Sequence, residues 1–141
     1  FNARLGDPET QVMLPAMDED LLPHLIDASR GVLKSGVCRT RTDTHVGVVM
    51  ASGGYPDQFE TGKTIGGLDE VESLPGVWVF YAGTAQRGET PVTSGGRVLT
   101  VVGRGPDFQA ARTTAYDAVA RITFDHAHFR RDIGLRAIGN A

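Results

Sequence analysis

Several features common in other protein classes are scarce in this sequence of 141 residues. The single cysteine, Cys38, excludes an internal disulfide and fits a reducing compartment such as the cytoplasm. No apolar run approaches the roughly 18–20 residues that cross a bilayer, and no charged and then apolar leader opens the chain. We therefore expect no membrane segment and no secretion signal. The net charge of −3 argues against nucleic acid as a partner.

The chain also lacks an initiating methionine and opens at Phe1 in a polar, irregular stretch. We therefore expect it to be part of a longer protein. Glycine, in contrast, is abundant: the 18 glycines cluster beside runs of β-branched residues, as expected for tight turns and close approaches between strands.

Hydrophobic periodicity predicts a helical first part. Apolar residues recur every three or four positions between Val12 and Ile26, which indicates two pieces of helix that stop near Gly31. Asp7 is the expected cap of the first piece, and the acidic run 18–20 favours the start of the second. A polar stretch follows, and we place a domain boundary in it, between segments 1–38 and 39–141.

The second part alternates strands and turns and then ends in one clear helix, which predicts an α+β fold. The helix should begin at Asp107, run to about Arg121 or Phe124 and bury a face that includes Phe108. The other expected elements are strands over 45–51, 77–82 and 97–102, and a polar hairpin loop over 84–90 with a return strand from 91.

Two groups of residues are chemically suggestive without further context. In residues 93–97 two glycines, two hydroxyls and Arg97 suit an anion, although a β-bulge with a surface arginine explains them as well. His126 and His128 have no further ligands that would complete a metal site, so ordinary loop histidines are favoured.

The opening of the chain is a third such group. Asn2, Arg4, Asp7 and Glu9 place an amide oxygen, a guanidinium and two carboxylates within eight residues. Hard oxygen ligands beside a cation suit a magnesium–nucleotide site. A solvated loop that caps the following helix is the alternative.

Several short sequence motifs resemble those of one family. Residues 1–11, Phe-Asn-Ala-Arg-Leu-Gly-Asp-Pro-Glu-Thr-Gln, resemble the last catalytic motif of the glycinamide ribonucleotide synthetases, which are phosphoribosylamine–glycine ligases of the ATP-grasp type. Other family motifs follow in order at 51–56, 62–69, 93–99 and 130–134. The resemblance covers essentially the whole chain, although residues 34–43 and 57–59 depart from the pattern.

The resemblance implies an architecture and a reaction. Segment 1–38 would end an ATP-grasp domain, and segment 39–141 would form a small antiparallel-sheet C-terminal domain, a rudimentary single-hybrid motif with a long helix. The parent enzyme would be cytoplasmic, would use ATP and Mg²⁺ (or Mn²⁺), and would join phosphoribosylamine to glycine through glycyl phosphate. The chain alone would be inactive, because it depends on the preceding N-terminal and ATP-grasp portions.

The resemblance also implies site residues. Asn2 would bind magnesium together with a glutamate that would stand just before Phe1. Arg4 would stabilise the acyl phosphate or its carbonyl oxygen, and Asp7 would orient the glycine amine or the Arg4 side chain. The residues expected to face the ribose phosphate are Gly53, Gly54, Tyr55, Pro56, Ser94, Gly95, Gly96 and Arg97.

Some alternatives stay open. Arg131 and Asp132 would either reach the ribose phosphate or pin the C-terminal tail. The chain could be a non-catalytic module that binds a ligand or a partner. It could also come from another ATP-grasp purine enzyme, such as a relative of phosphoribosylaminoimidazole carboxylase, although residues 6–9 and the Tyr55-Pro56 loop argue against this.

Overall fold

The structure is a computed structural model, and it describes residues 4–34, 36 and 38–139. Within these residues the chain forms helices and strands in an order that fits the predicted α+β class. The elements are α1 (Glu9–Ala16), α2 (Leu21–Ser29), β1 (Thr44–Ala51), α3 (Leu68–Glu72), β2 (Val77–Tyr81), β3 (Thr84–Arg87), β4 (Thr90–Thr93), β5 (Arg97–Gly105), α4 (Phe108–Val119) and α5 (Leu135–Ile138).

An antiparallel sheet of three strands forms the centre of the fold, in the order β1-β5-β2. Val101 in β5 is paired with Val48 on one side and with Val79 on the other. The buried strand β5 is rich in valine and leucine, as expected for a central strand that is covered on both faces. The predicted antiparallel sheet is therefore confirmed.

Helix α4 packs closely against one face of this sheet. Ala111, Ala115 and Ala118 are fully buried on the helix, and Gly103 lies opposite them on β5. A Cβ on Gly103 would lie 2.6 Å from the carbonyl oxygen of Ala111. The small residues on both elements therefore allow the helix backbone to approach the sheet.

The start of α4 is confirmed, but one member of its predicted core face is not buried. Asp107 caps the helix, because its carboxylate accepts a hydrogen bond of 2.7 Å from the backbone N–H of Ala110. Phe108 was expected in the core, yet it is 45% exposed. It occupies the first position of the helix, and the buried face of α4 begins only at Ala111.

The loop predicted over residues 84–90 is wrong. Residues 84–87 form β3, and this strand pairs with β4 through the turn at Gly88 and Glu89. The strand from residue 91 therefore does not return to β2, whose partner is β5. The two-residue turn requires a positive φ, and Gly88 supplies it at 64°.

Helices α1 and α2 precede the sheet, and they differ in how their N-terminal ends are capped. Asp20 caps α2 by accepting from the N–H of Leu22, and α2 ends before Arg30, as predicted. Asp7 does not cap α1: Pro8 occupies the cap position without a side-chain hydrogen bond. The prediction for Asp7 failed because its carboxylate is engaged by Gln11 and by Arg97.

Helix α1 lies against the sheet face opposite α4. The side chain of Val12 packs over Gly47 of β1, where a Cβ would come within 2.6 Å of a Val12 methyl carbon. Among the described residues no helix has the length and apolar character needed to cross a bilayer.

Candidate functional site

Two of the stretches predicted to face a ribose phosphate lie side by side. Buried Ser52 joins them: its backbone N–H donates to the carbonyl of Gly96 at 2.8 Å, and its hydroxyl donates to the carbonyl of Gly95 at 2.9 Å. A register shift after Met50, where Ala51 pairs with Arg97, opens the ladder at this point. The turn that begins at Ser52 is therefore fixed against the Gly95-Gly96 backbone.

Aromatic rings close the contact between these stretches. The ring of Tyr55 lies over Gly96 so closely that a Cβ on this glycine would collide with it. Phe59 meets Tyr55 edge-on at 6.1 Å between ring centroids. Only glycine at position 96 leaves room for the two rings, which explains why the sequence has a glycine there.

The opening segment reaches the same surface through Asp7. Nη2 of Arg97 lies 3.0 Å from Oδ2 of Asp7, and Nη1 of Arg97 donates to the backbone carbonyl of Asp7 at 2.9 Å. Gln11 donates to the other carboxylate oxygen at 2.9 Å. Residues 90 positions apart in sequence are therefore held together by a guanidinium that binds both a carboxylate and a carbonyl.

The other predicted residues of the opening are not part of this contact. Asn2 lies outside the described residues. Arg4 is exposed, and its Nη1 donates to the carbonyl of its neighbour Leu5 at 3.3 Å. The contact between the opening segment and the loop at residues 94–97 is thus made by Asp7.

Arg131 and Asp132 lie in the tail that follows α4. Asp132 forms a bidentate pair with Arg130, with distances of 2.9 and 2.6 Å, and this arginine lowers the pKa of the carboxyl group. The backbone carbonyl of Arg131 accepts from Arg112 of α4 at 2.7 Å, and the Arg131 guanidinium lies 5.4 Å from the ring centroid of Phe129. The hydrogen bond from Arg112 holds the tail to α4, and the other two contacts lie within the tail.

An open recess of about 560 Å³, which we call the Gly53 recess, lies beside the turn. Its walls come from the turn, from the segment after it and from the residues that follow α4. The residues that line it and bear on its chemistry are Gly53, Gly54, Phe59, Glu60, Lys63, Asp125 and His126.

A lysine between two carboxylates dominates the electrostatics of the Gly53 recess. Nζ of Lys63 lies 2.7 Å from Oε2 of Glu60 and 3.3 Å from Oδ2 of Asp125. The hydrogen bond to Glu60, and then the one to Asp125, raise the pKa of Lys63, while Lys63 lowers the pKa of Glu60. Two carboxylates thus face a single ammonium group in the recess.

Sequence reasoning missed this recess because its residues come from separate parts of the chain. Asp125 and His126 reach the turn because Ala51 and His128 exchange two backbone hydrogen bonds of 2.7 and 2.8 Å. His126 adopts a φ of 57°, which is uncommon for a residue other than glycine. Nothing in the sequence around Asp125 and His126 indicates that these two residues lie beside the turn.

Comparison with known proteins identifies the family. Residues 45–136 match the family model described as the phosphoribosylglycinamide synthetase C domain. The chain belongs to this family. The resemblance to this family that the sequence indicates is thereby confirmed.

Relatives of the family are similar over nearly the whole chain. The phosphoribosylamine–glycine ligase of Chlorobaculum tepidum is 46% identical over 138 residues, which cover 98% of this chain and 32% of that protein. The chloroplastic phosphoribosylamine–glycine ligase of Arabidopsis thaliana is 44% identical over 140 residues, which cover 98% of this chain and 26% of that protein.

A solved structure agrees with the fold. The crystal structure of phosphoribosylamine–glycine ligase from Thermotoga maritima matches with a TM-score of 0.77 at 37% identity, over 93% of this chain and 32% of that one. The chain thus spans a third or less of the length of these relatives.

Proposed function

We propose that the chain is the C-terminal part of an ATP-dependent ligase that joins phosphoribosylamine to glycine in purine synthesis. The products would be glycinamide ribonucleotide, ADP and phosphate. Segment 1–38 would end the ATP-grasp domain, and segment 39–141 would form the C-terminal domain with its rudimentary single-hybrid motif. The names of the relatives and their greater length support this assignment. The single cysteine supports a reducing compartment such as the cytoplasm.

One observation carries the proposal: three separate sequence motifs converge on one surface. Ser52 fastens the turn of residues 53–56 to Gly95 and Gly96, and Arg97 binds Asp7 of the opening motif. A ligase with two substrates must bring an activated carboxylate and an amine within about 3–3.5 Å. Convergence of the opening motif with two glycine-rich turns suits that requirement.

The proposed chemistry runs in two steps. A glycine carboxylate oxygen attacks the terminal phosphorus of ATP, and ADP leaves to give glycyl phosphate. The amine of phosphoribosylamine then attacks the carbonyl carbon, loses a proton, and displaces phosphate. Arg4 would stabilise negative charge on the acyl phosphate or its carbonyl oxygen, and Asp7 would orient the glycine amine or Arg4.

The proposed metal ion would be held only partly by this chain. Asn2 would be its ligand here, and Mg²⁺ (or Mn²⁺) would neutralise the phosphates of ATP. Within residues 4–34, 36 and 38–139 no three His, Cys, Asp or Glu side chains lie close enough together to hold a metal ion. The described residues therefore do not form a metal site by themselves, and the remaining ligands would come from the preceding part of the enzyme.

The ribose phosphate would lie against the two joined turns. Gly53 to Pro56 and Ser94 to Arg97 present backbone groups and hydroxyls, and Arg97 has further N–H donors beyond the two used on Asp7. Asp7 would therefore hold the Arg97 guanidinium in position before an anion binds. Arg131 and Asp132 would either extend this surface or pin the tail, and the hydrogen bond from Arg112 of α4 to the Arg131 carbonyl supports the second role.

Reconstitution of the ligase tests the proposal. The chain would be joined to, or mixed with, the preceding two-thirds of the Thermotoga maritima relative, and release of ADP would be measured with glycine and phosphoribosylamine. Neither part alone should be active, and the combination should be. Activity absent from a combination that demonstrably assembles would favour the non-catalytic module instead.

A substitution within the reconstituted enzyme tests the role of Arg4. Arg4→Ala should lower turnover roughly 100- to 1000-fold, because a positioned donor to developing charge is worth that much. Arg136→Ala, in the short helix α5, is the matched control and should leave turnover near normal. Near-normal turnover of Arg4→Ala would remove Arg4 from the mechanism.

A further inference from the structure

The Gly53 recess adjoins the proposed phosphate surface but differs from it in charge. Phe59 belongs to both, since it lines the recess and its ring edge lies 3.1 Å from the position that a Cβ on Gly96 would take. Phe59 therefore links the recess to the loop at residues 94–97, and a ligand of the size of a phosphorylated pentose could extend along this surface from the loop into the recess.

The recess disfavours the anionic end of such a ligand. Glu60 and Asp125 bring two negative charges to the single positive charge of Lys63, and like charges at short range repel a phosphate. The two carboxylates also have more lone pairs than one ammonium group can satisfy. Groups that donate hydrogen bonds without carrying negative charge, such as sugar hydroxyls, fit the remaining acceptor capacity.

The shape of the recess suits a sugar ring. Phe59 lines the recess and is 38% exposed, so it offers apolar surface against which the C–H face of a pentose can lie. Gly54 adopts a φ of 92°, and a Cβ there would collide with the carbonyl oxygen of Gln58, so the backbone itself forms the wall. His126, with its left-handed backbone, stands at the edge beside Asp125, with 3.6 Å between Nε2 and Oδ1.

We propose that the Gly53 recess binds the pentose ring of the sugar phosphate. Asp125 and Glu60 accept hydrogen bonds from ring hydroxyls, and Lys63 holds both carboxylates in position. This assignment rests on the proposed function, because that function supplies the sugar phosphate whose anionic end lies at residues 94–97. It makes Asp125 a specificity-determining residue for a polyhydroxylated substrate.

Binding to the 141-residue protein tests the assignment by amide chemical shifts in the ¹⁵N-labelled chain. The probes are ribose 5-phosphate, 2-deoxyribose 5-phosphate and inorganic phosphate at one pH and ionic strength. Ribose 5-phosphate should shift the amides of Gly53, Gly54 and Lys63 saturably. The deoxy sugar should bind about tenfold more weakly, because it leaves a charged acceptor unpaired.

Matched variants separate the recess from the phosphate surface. Asp125→Asn keeps the shape of the side chain and should raise the Kd for ribose 5-phosphate about five- to tenfold, while binding of inorganic phosphate stays unchanged. Glu89→Gln removes an exposed carboxylate near Pro91, outside the recess, and should change neither affinity.

Three results would contradict the assignment in different ways. Shifts confined to Ser94, Gly96 and Arg97 and insensitive to Asp125→Asn would remove the recess and leave the phosphate surface standing. Equal shifts in the recess with inorganic phosphate alone would make it an anion site instead. No shifts in either region would overturn both the recess and the proposed sugar-phosphate surface.

Discussion

The two parts of the chain bury their apolar residues to very different extents. In the sheet and α4, side chains such as Val48, Leu99 and Val101 are fully buried. In α1 and α2 no residue is buried, and Leu22 and Leu25 are more than half exposed. The sheet and α4 therefore have a core of their own, whereas the opening helices expose the kind of surface that marks a contact with another protein surface.

The opening segment is joined to the sheet at few points. Val12 packs over Gly47, and Asp7 pairs with Arg97. Met17 forms an isolated bridge with Thr40, which lies before β1 and outside the sheet. Stability is therefore expected to reside in residues 44–133. The functional contact with the opening segment would depend on local interactions that contribute little to it.

The largest expected difference is between a core leucine and an exposed one. Leu99→Ala should lower the free energy of unfolding by about 2–5 kcal/mol, because it leaves a cavity in the fully buried centre of β5. Leu25→Ala in α2, where the side chain is 51% exposed, should change it by less than about 0.5 kcal/mol. Urea denaturation followed by circular dichroism measures the free energy of unfolding of both variants. Equal losses would contradict the difference in burial between the two parts of the chain.

His45 should make the free energy of unfolding depend on pH, with a smaller effect than that of Leu99→Ala. It is 9% exposed, stacks at 5.5 Å against Trp78, and neither ring nitrogen has a hydrogen-bond partner among the described residues. Burial lowers the pKa of His45, while nearby Asp43 opposes the shift and Arg104 adds to it. The unfolded chain therefore takes up a proton before the folded one does as the pH falls through about 6.5.

Stability should consequently fall between pH 7 and pH 5, before the carboxylates titrate. His45→Phe removes this proton uptake and should flatten that part of the profile. His126→Asn, at an exposed position whose left-handed backbone asparagine tolerates, is the control and should keep the slope. An unchanged slope in His45→Phe would show that another group is responsible.

The smallest expected effect is that of the Asp7–Arg97 pair, which joins the opening segment to the sheet. A double-mutant cycle with Asp7→Ala and Arg97→Ala should give a coupling energy of no more than about 1 kcal/mol, since both side chains are partly exposed. Thermal unfolding of the four proteins measures it. A coupling above about 2 kcal/mol would mean that the opening segment is an integral part of the folded core.

Strongly patterned elements could be predicted from the sequence. The valine-rich run of β5 and the alanines of α4, with Asp107 as a cap, carry their own periodicity, and both elements were found. Their ends differ from the prediction: β5 continues to Gly105, and α4 ends at Val119, before Arg121 or Phe124. The strand β3 was missed because its residues are polar and exposed, so only its pairing with β4 defines it.

The site was harder to predict where it depends on residues distant in sequence. The glycine-rich turns at 53 and 95 were identified, but the link through Ser52 depends on a register shift that no local pattern reveals. The cap prediction for Asp7 failed for the same reason, because its partner Arg97 is 90 residues away. Lys63 and Asp125 lie close together although the elements from α3 to α4 separate them in the sequence.

The most direct test concerns Arg97 in the reconstituted ligase. If the joined turns bind the ribose phosphate, Arg97→Ala should raise the KM for phosphoribosylamine about tenfold or more, because it removes a charged donor to the phosphate. Arg136→Ala should leave that KM unchanged. A KM for phosphoribosylamine that is the same with Arg97→Ala as with the unmodified chain would contradict the sugar-phosphate surface.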